Sequence, residues 1–346
     1  MARCERWTNN ATVTDRRYKL EMLQQFNEKN RDLIVNINGR LAPRDEAGIS
    51  PFDSVVQGGD AVWEGLRLYN GRIFKLYEHL DRLERSARAL SFPEIPPREK
   101  IVDEIKRTMA ANKMRDGVHI RLTLTRGVKI TSGMDPRLNQ SGPTLIILAE
   151  HKAPVYSKDG LKLITATVRR PPPEVLDARI HHANLLNSIL AKIEANNADA
   201  DDALMLDTNG FVAETNATNI FIVRKGDLAT SRAVACPEGI TRATIIEICA
   251  AEKIRCVETD LSPVDVYGAD EMFCTGTMGE LAGVVKIIDN GGGGSGGTWT
   301  GEPARVGEPG GEPINRLIGD GKVGPMTKRL SDLYLQRTAT EGVPVV

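Results

Sequence analysis

What the 346-residue chain lacks narrows its class before any motif is considered. No apolar run approaches the ~18 residues of a membrane-spanning helix, so no membrane partner is expected. No charge dominates: 45 Lys and Arg stand against 46 Asp and Glu, and the basic footprint of a nucleic-acid binder is missing. Cysteine is scarce. The five (Cys4, Cys236, Cys249, Cys256 and Cys274) are odd in number and show no CxxC spacing, so no zinc or redox motif and no metal site is expected. Cys249 and Cys256 sit among apolar residues and read as small hydrophobes. Residues 1–30 are polar and lack the apolar core of a secretory signal, and a reducing cytoplasm is the simplest setting. What is present, 41% hydrophobic and 26% charged residues, is the make-up of an ordinary globular protein long enough for two domains.

Along the chain, residues 1–30 read as an extension with a short helix at Tyr18–Phe26. A domain over 31–152 begins with a strand from Leu33 closed by an Asn-Gly turn, followed by a hairpin from Val62 to Phe74 turning on a second Asn-Gly. Helices are expected at Glu78–Leu90, with Leu80, Leu83 and Ala87 on one face, and at Arg98–Lys113. Strands follow at Val118–Thr125 and Thr144–Ala149, an α+β arrangement with antiparallel pairing. After a linker at His151–Ser157, a second domain over 153–346 has a strand at Leu161–Val168, a Pro171-Pro-Pro loop and a helix at Asn184–Asn196. Hairpins turning at Asn209-Gly210 and Lys225-Gly226 come next, then a helix at Arg242–Ala251, strands at Ile254–Glu258 and Glu271–Thr275, and a last helix from Pro325 to Gln336. Residues 290–313, with Gly291-Gly-Gly-Gly-Ser-Gly-Gly, read as a flexible insertion.

Four segments carry chemistry. Pro237-Glu-Gly-Ile-Thr-Arg opens a helix, where free backbone N–H groups and the Thr241 hydroxyl suit an anion. Thr275-Gly-Thr-Met-Gly-Glu is a second small-residue turn at a strand end. Glu214 follows an Asn-Gly turn on a β run, and Arg82 lies on a helix whose other face is core. Singly, each has an ordinary reading: a helix cap, a bland turn, a strand-end glutamate, a surface arginine.

In this order the segments resemble the class IV aminotransferases, the fold-type IV pyridoxal-phosphate enzymes that include branched-chain and D-amino-acid aminotransferases. The resemblance runs from about Leu33 to Tyr334. It implies a two-domain α+β fold with the cofactor between the domains, and a homodimer. Arg82 then matches the arginine on the cofactor phosphate. Glu214 matches the carboxylate on the pyridine nitrogen, Ile240 and Thr241 the first phosphate turn, and Thr277 and Met278 the second. Trp63 matches a wall of the substrate pocket. Arg121 stands where branched-chain enzymes carry an arginine, and Arg126 where D-amino-acid enzymes bind the substrate carboxylate; having both leaves the L or D series open.

One position departs from the family. Where it has a lysine that forms the Schiff base, this chain has His181, three residues before Asn184. Imidazole cannot form that bond, though His181 or His182 can still move a proton near neutral pH. Lys192 is eleven residues further on, roughly 16 Å along a helix, and Lys162 matches nothing catalytic. The resemblance thus implies aminotransfer between a branched-chain or similar amino acid and 2-oxoglutarate, with pyridoxal phosphate held non-covalently. Two alternatives stay open: a protein that holds cofactor without turnover, and a lyase or racemase reaction in the same pocket.

Overall fold

A computed structural model describes residues 26–289 and 314–346. The glycine-rich insertion at 290–313 falls outside them, as does all but the last residue of the helix expected at Tyr18–Phe26.

The first sheet is built from β1 (Ile34–Ile37), β2 (Arg40–Pro43), β3 (Ala61–Tyr69), β4 (Arg72–Ile73), β5 (Val118–Thr125) and β6 (Thr144–His151). Every pairing in it is antiparallel, in the order β4-β3-β5-β6-β1-β2. Both Asn-Gly pairs form tight turns with φ positive at each residue: 52° and 80° at Asn38 and Gly39, 48° and 80° at Asn70 and Gly71. That is the backbone twist two-residue hairpins favour, and glycine takes it without steric penalty. A short helix α1 (Ser54–Gly58) precedes β3, and α2 (Leu76–Ala89) and α3 (Arg98–Asn112) cover one face of the sheet. Leu80, Leu83 and Ala87 of α2 and Ile101, Ile105 and Met109 of α3 pack there against Leu66, Leu68, Ile120 and Leu122. Alternate residues of β3 point to opposite faces. Val62, Leu66 and Leu68 enter this core, while Trp63 and Gly65 line a cavity.

The second sheet comprises β7 (Leu161–Thr165), β8 (Asp202–Leu206), β9 (Val212–Thr215), β10 (Asn219–Arg224), β11 (Asp227–Ser231), β12 (Cys256–Thr259), β13 (Glu271–Gly276), β14 (Glu280–Asp289) and β15 (Ile314–Leu317). It is mixed: β7 runs parallel to both β14 and β8, and β11 to β12. Between β7 and β8 lie α4 (Pro173–Leu176) and α5 (Leu186–Asn197); α6 (Ile240–Ala251), α7 (Pro263–Tyr267) and α8 (Pro325–Thr340) follow. Phe221 and Phe273 face each other on adjacent strands with ring centroids 5.1 Å apart, both fully buried beneath α6 and α8. Cys249 and Cys256 pack in the same cluster, as small hydrophobes do.

A last strand, β16 (Val343–Pro344), leaves the second half and pairs with β4 of the first sheet. Sequence alone places this segment wholly in the second domain, because no local signal marks a return across the molecule. Among the described residues, no helix is long and apolar enough to cross a membrane, and no cluster of side chains could hold a metal ion.

Candidate active site

A cavity of ≈ 890 Å³ lies between the two sheets. Its lining takes Trp63 and Gly65 from β3, Arg82 from α2, Glu214 from β9, Ile240 and Thr241 from α6, and Thr277 and Met278 from the turn after β13. His181 lines it as well. Residues read from separate motifs are thus brought to one volume.

Backbone pairing places His181. Residues 181–183 lie along β3 as an extra edge strand, with Trp63 N donating to the His181 carbonyl at 3.0 Å and Ala183 N to the Ala61 carbonyl at 2.8 Å. The Trp63 indole N–H donates to the His182 carbonyl at 3.1 Å, and His181 N donates to Ser86 Oγ at 3.0 Å. The imidazole stacks on the Trp63 ring, centroids 4.5 Å apart and planes 24° from parallel. Its Nδ1 lies 2.5 Å from the Trp63 carbonyl oxygen. A carbonyl only accepts, so Nδ1 carries the proton, and Nε2 is left with a lone pair and no hydrogen-bond partner among the described residues. Burial, and then the charge of Arg82, push the His181 pKa below its ordinary value. The ring is neutral at pH 7, a base rather than an acid.

Beneath it sits Glu64, fully buried, a residue the motif reading did not single out. Arg82 Nε donates to its Oε1 at 2.8 Å and Nη2 to its Oε2 at 2.7 Å; His79 Nδ1 lies 2.7 Å from Oε2 and His181 Nδ1 3.4 Å from Oε1. His79, Arg82 and Ser86 reach this carboxylate and the 181–183 segment because three- and four-residue steps share one face of α2. Burial disfavours the Glu64 charge, but Arg82, then His181, outweigh it and hold the pKa well below the usual carboxylate range. Arg82 Nη1 donates further to the Glu238 carbonyl at 2.9 Å. That uses three of its five N–H groups and leaves two uncommitted.

The turn suits an anion. Gly239 caps α6 with no side-chain hydrogen bond, so the first helical N–H groups are open. A Cβ at Gly239 would lie 1.9 Å from Asn219 Oδ1, so only glycine lets the chain pass here. Thr275, the strand partner of Asn219, also lines the cavity, and its hydroxyl oxygen is buried without a partner. Glu214, 3% exposed, is the sole carboxylate read from the motifs, and burial pushes its pKa up to about 7 against the pull of Arg170. Arg170 forms an ion pair with Glu214 Oε1 and reaches Ser188 Oγ at 3.2 Å. It was also missed in the sequence, where it looks like one of two arginines before a proline loop. Open N–H donors, two free guanidinium N–H groups and a buried carboxylate are the donor set that a phosphorylated pyridine needs, and the residues present fit pyridoxal phosphate.

One expectation needs correction. Arg126 does not line the cavity. It is buried against Asp60, with Nε to Oδ2 at 2.6 Å and Nη2 to Oδ1 at 3.1 Å, and donates to the Leu90 and Ser91 carbonyls at 2.7 and 3.1 Å. It is consumed by structure. Lys192, set aside for its distance along the helix, does line the cavity, because the volume extends along α5. Its ammonium is tied to the Asp201 carbonyl and, at 3.2 Å, to Asp202 Oδ1. Lys162 is turned away, donating to the Asp199 carbonyl at 3.0 Å. Arg121 is not among the lining residues but stacks on Trp63, 3.7 Å from the ring centroid, while His119 lines the cavity with its pKa lowered by burial to about 3. His182 Nδ1 is buried without a partner.

Comparison with known proteins assigns the chain to a family. The family described as "Amino-transferase class IV" matches residues 61–287. "Branched-chain-amino-acid aminotransferase-like protein 2" of Arabidopsis thaliana is 51% identical over 318 residues, covering 92% of this chain and 52% of the relative. The chain therefore spans about half the length of that relative. The branched-chain-amino-acid aminotransferase of Pseudomonas aeruginosa is 29% identical over 88% of this chain and 92% of its own. Among solved structures, the T.th. branched-chain amino acid aminotransferase complexed with N-(5'-phosphopyridoxyl)-L-glutamate superposes with a TM-score of 0.75 at 31% identity, covering 89% of this chain and 94% of its own. The branched-chain aminotransferase of Thermoproteus uzoniensis with norvaline gives 0.76 at 26% identity, covering 91% and 100%. The chain belongs to the class IV aminotransferases, and its α+β two-domain architecture is the fold-type IV fold.

Proposed function

We propose that the protein binds pyridoxal phosphate non-covalently and transfers the amino group of a branched-chain or similar apolar amino acid to 2-oxoglutarate, as a homodimer in the cytoplasm. The observation that carries this reading is the state of His181: a neutral imidazole, held by Trp63 and Ser86, with Nε2 open to the cavity.

Bound there, the cofactor would supply an electron sink that acidifies the substrate Cα–H. Arg82, Ile240, Thr241, Thr277 and Met278 would hold its phosphate. Glu214, with one oxygen engaged by Arg170, would present the other to the ring nitrogen. His181 Nε2 would take the proton from Cα and deliver it to the cofactor's C4′ carbon, work that general bases accelerate by about 10²–10⁴-fold. Trp63 excludes water from one side of the reacting carbon and offers an apolar wall to the substrate side chain. Support for glutamate as amino partner comes from the solved relative whose structure contains a phosphopyridoxyl-glutamate.

The test is borohydride reduction and His181→Lys. The parent should retain cofactor that borohydride leaves unattached to the chain. His181→Lys restores a primary amine at the family's position and should give a borohydride-stable cofactor–lysine link, with faster half-transamination of a branched-chain amino acid. A folded, cofactor-loaded His181→Lys protein with no covalent link would refute the placement, and a parent labelled at Lys192 would move the chemistry to that amine.

A further inference from the structure

We infer that Glu64 is a positioning residue for the proton-transfer step: its carboxylate couples the imidazole that moves the proton to the guanidinium that anchors the phosphate. This rests on the reading of His181 as the base and adds a residue to which no role has been given.

Glu64 is the hub of the site's polar groups. It is wholly removed from solvent, near the middle of β3 on the face that packs against α2. Each oxygen has two nitrogen neighbours: Oε1 takes Arg82 Nε and faces His181 Nδ1, and Oε2 takes Arg82 Nη2 and lies beside His79 Nδ1. Because Nδ1–H is committed to the Trp63 carbonyl, the proton taken from substrate must land on Nε2 and turn the ring into an imidazolium. That cation forms in a buried place beside a second cation, Arg82, and would be disfavoured if nothing answered it. The Glu64 carboxylate, 3.4 Å from Nδ1, answers it, and its second contact keeps Arg82 from swinging toward the ring. Orienting a histidine and stabilising its protonated form is what a buried carboxylate does in other acid–base pairs, without itself taking a proton. In the usual family arrangement a lysine stands where His181 is. Here the carboxylate therefore faces a group whose basicity it can set across the neutral pH range.

The charged and titratable groups that face His181 are few. Glu64 comes from β3, His79 and Arg82 from α2, and His182 from its own segment, with Arg170 beyond it. Arg121 of β5 stacks on the same Trp63 ring. Of these, Glu64 is the one negative charge in contact with the ring.

The experiment reads the imidazole directly in cofactor-free protein. The protein has five histidines, so ¹⁵N-histidine labelling with two-bond ¹H–¹⁵N spectra is tractable, and His181→Asn identifies the His181 signals by their loss. The parent should show His181 as the Nδ1–H tautomer. Glu64→Gln keeps shape and a hydrogen-bonding oxygen but removes the charge, and should lower the His181 pKa by about one unit or more. Loaded with pyridoxal phosphate, the same variant should move the acidic limb of substrate Cα-hydrogen exchange down by a matching amount. An unmoved His181 titration, or an Nε2–H tautomer in the parent, overturns the assignment. Loss of cofactor affinity without any change in the titration assigns Glu64 to Arg82 alone, and overturns it too. Should Glu64→Gln fail to fold, Glu64→Asp retains a charge for Arg82 while drawing it one methylene back from His181. The pKa should then fall by less, and no fall refutes the coupling. The outcomes separate from those for the proposed function. A titration that moves in a protein catalysing no Cα exchange leaves Glu64 coupled and sinks aminotransfer; normal exchange with an unmoved titration does the reverse.

Discussion

The carboxyl of Glu214 makes the folded protein sensitive to pH in a way that can be measured without cofactor. Burial raises its pKa from the ordinary 4.5 to about 7, and Arg170 keeps it from rising further. Between those values the folded chain holds a proton that the unfolded chain has released. Stability is therefore fullest below 4.5, falls as pH rises toward 7, and is flat above it. At about 1.4 kcal/mol per pH unit, the loss attributable to this one group is about 3 kcal/mol. Glu214→Gln removes the titration while preserving size. Urea unfolding of both proteins from pH 5 to 8.5 isolates the effect, since the buried histidines titrate in each. The parent should lose about 2.5 kcal/mol more than Glu214→Gln over that span, nearly all of it below pH 7.5. Arg170→Met should extend the decline to higher pH, because ionising Glu214 then leaves a buried charge alone, at a cost of about 3–5 kcal/mol. Parallel pH profiles for the parent and Glu214→Gln would refute the account of this carboxyl.

Arg82→Ala should weaken pyridoxal-phosphate binding by about 1.5–3 kcal/mol in an absorbance titration, and affinity equal to the parent's would place the phosphate elsewhere. Gly239→Ala puts a methyl into Asn219 and should destabilise the protein by about 1–3 kcal/mol while loosening the cofactor; a thermal midpoint matching the parent's would mean that the turn relaxes freely.

Most of the elements were legible because their signals are local. The Asn-Gly turns at 38–39 and 70–71, the apolar faces of α2 and α3, and the glycine opening α6 each depend on neighbouring residues alone. Arg82, Glu214 and the two phosphate turns were legible through their order in the chain. Glu64 and Arg170 were not, since a glutamate between tryptophan and glycine on a strand has no periodic or spacing signal. Their roles arise only when α2 or β9, distant in sequence, is packed beside them. Arg126 was misread for the same reason in reverse: its partner Asp60, 66 residues away in the chain, is brought beside it only by the pairing of β3 with β5. Lys192 lines the same cavity, which spacing along the helix does not reveal, but its ammonium is engaged by Asp201 and Asp202.

The return of β16 to the first sheet has a consequence for biosynthesis. Residues 343–344 pair with β4, and Val345 N and Val346 N both donate to the Gly71 carbonyl, at 2.9 and 3.3 Å. A nascent chain on the ribosome can build β1 to β6 and their helices early, yet the β4 edge lacks β16 until about 190 residues beyond β6 (from 151 to 343) have been translated. Domains generally fold in order of synthesis. Here the earlier domain waits for the later one, and an open strand edge is what chaperones and neighbouring nascent chains would meet in the interval.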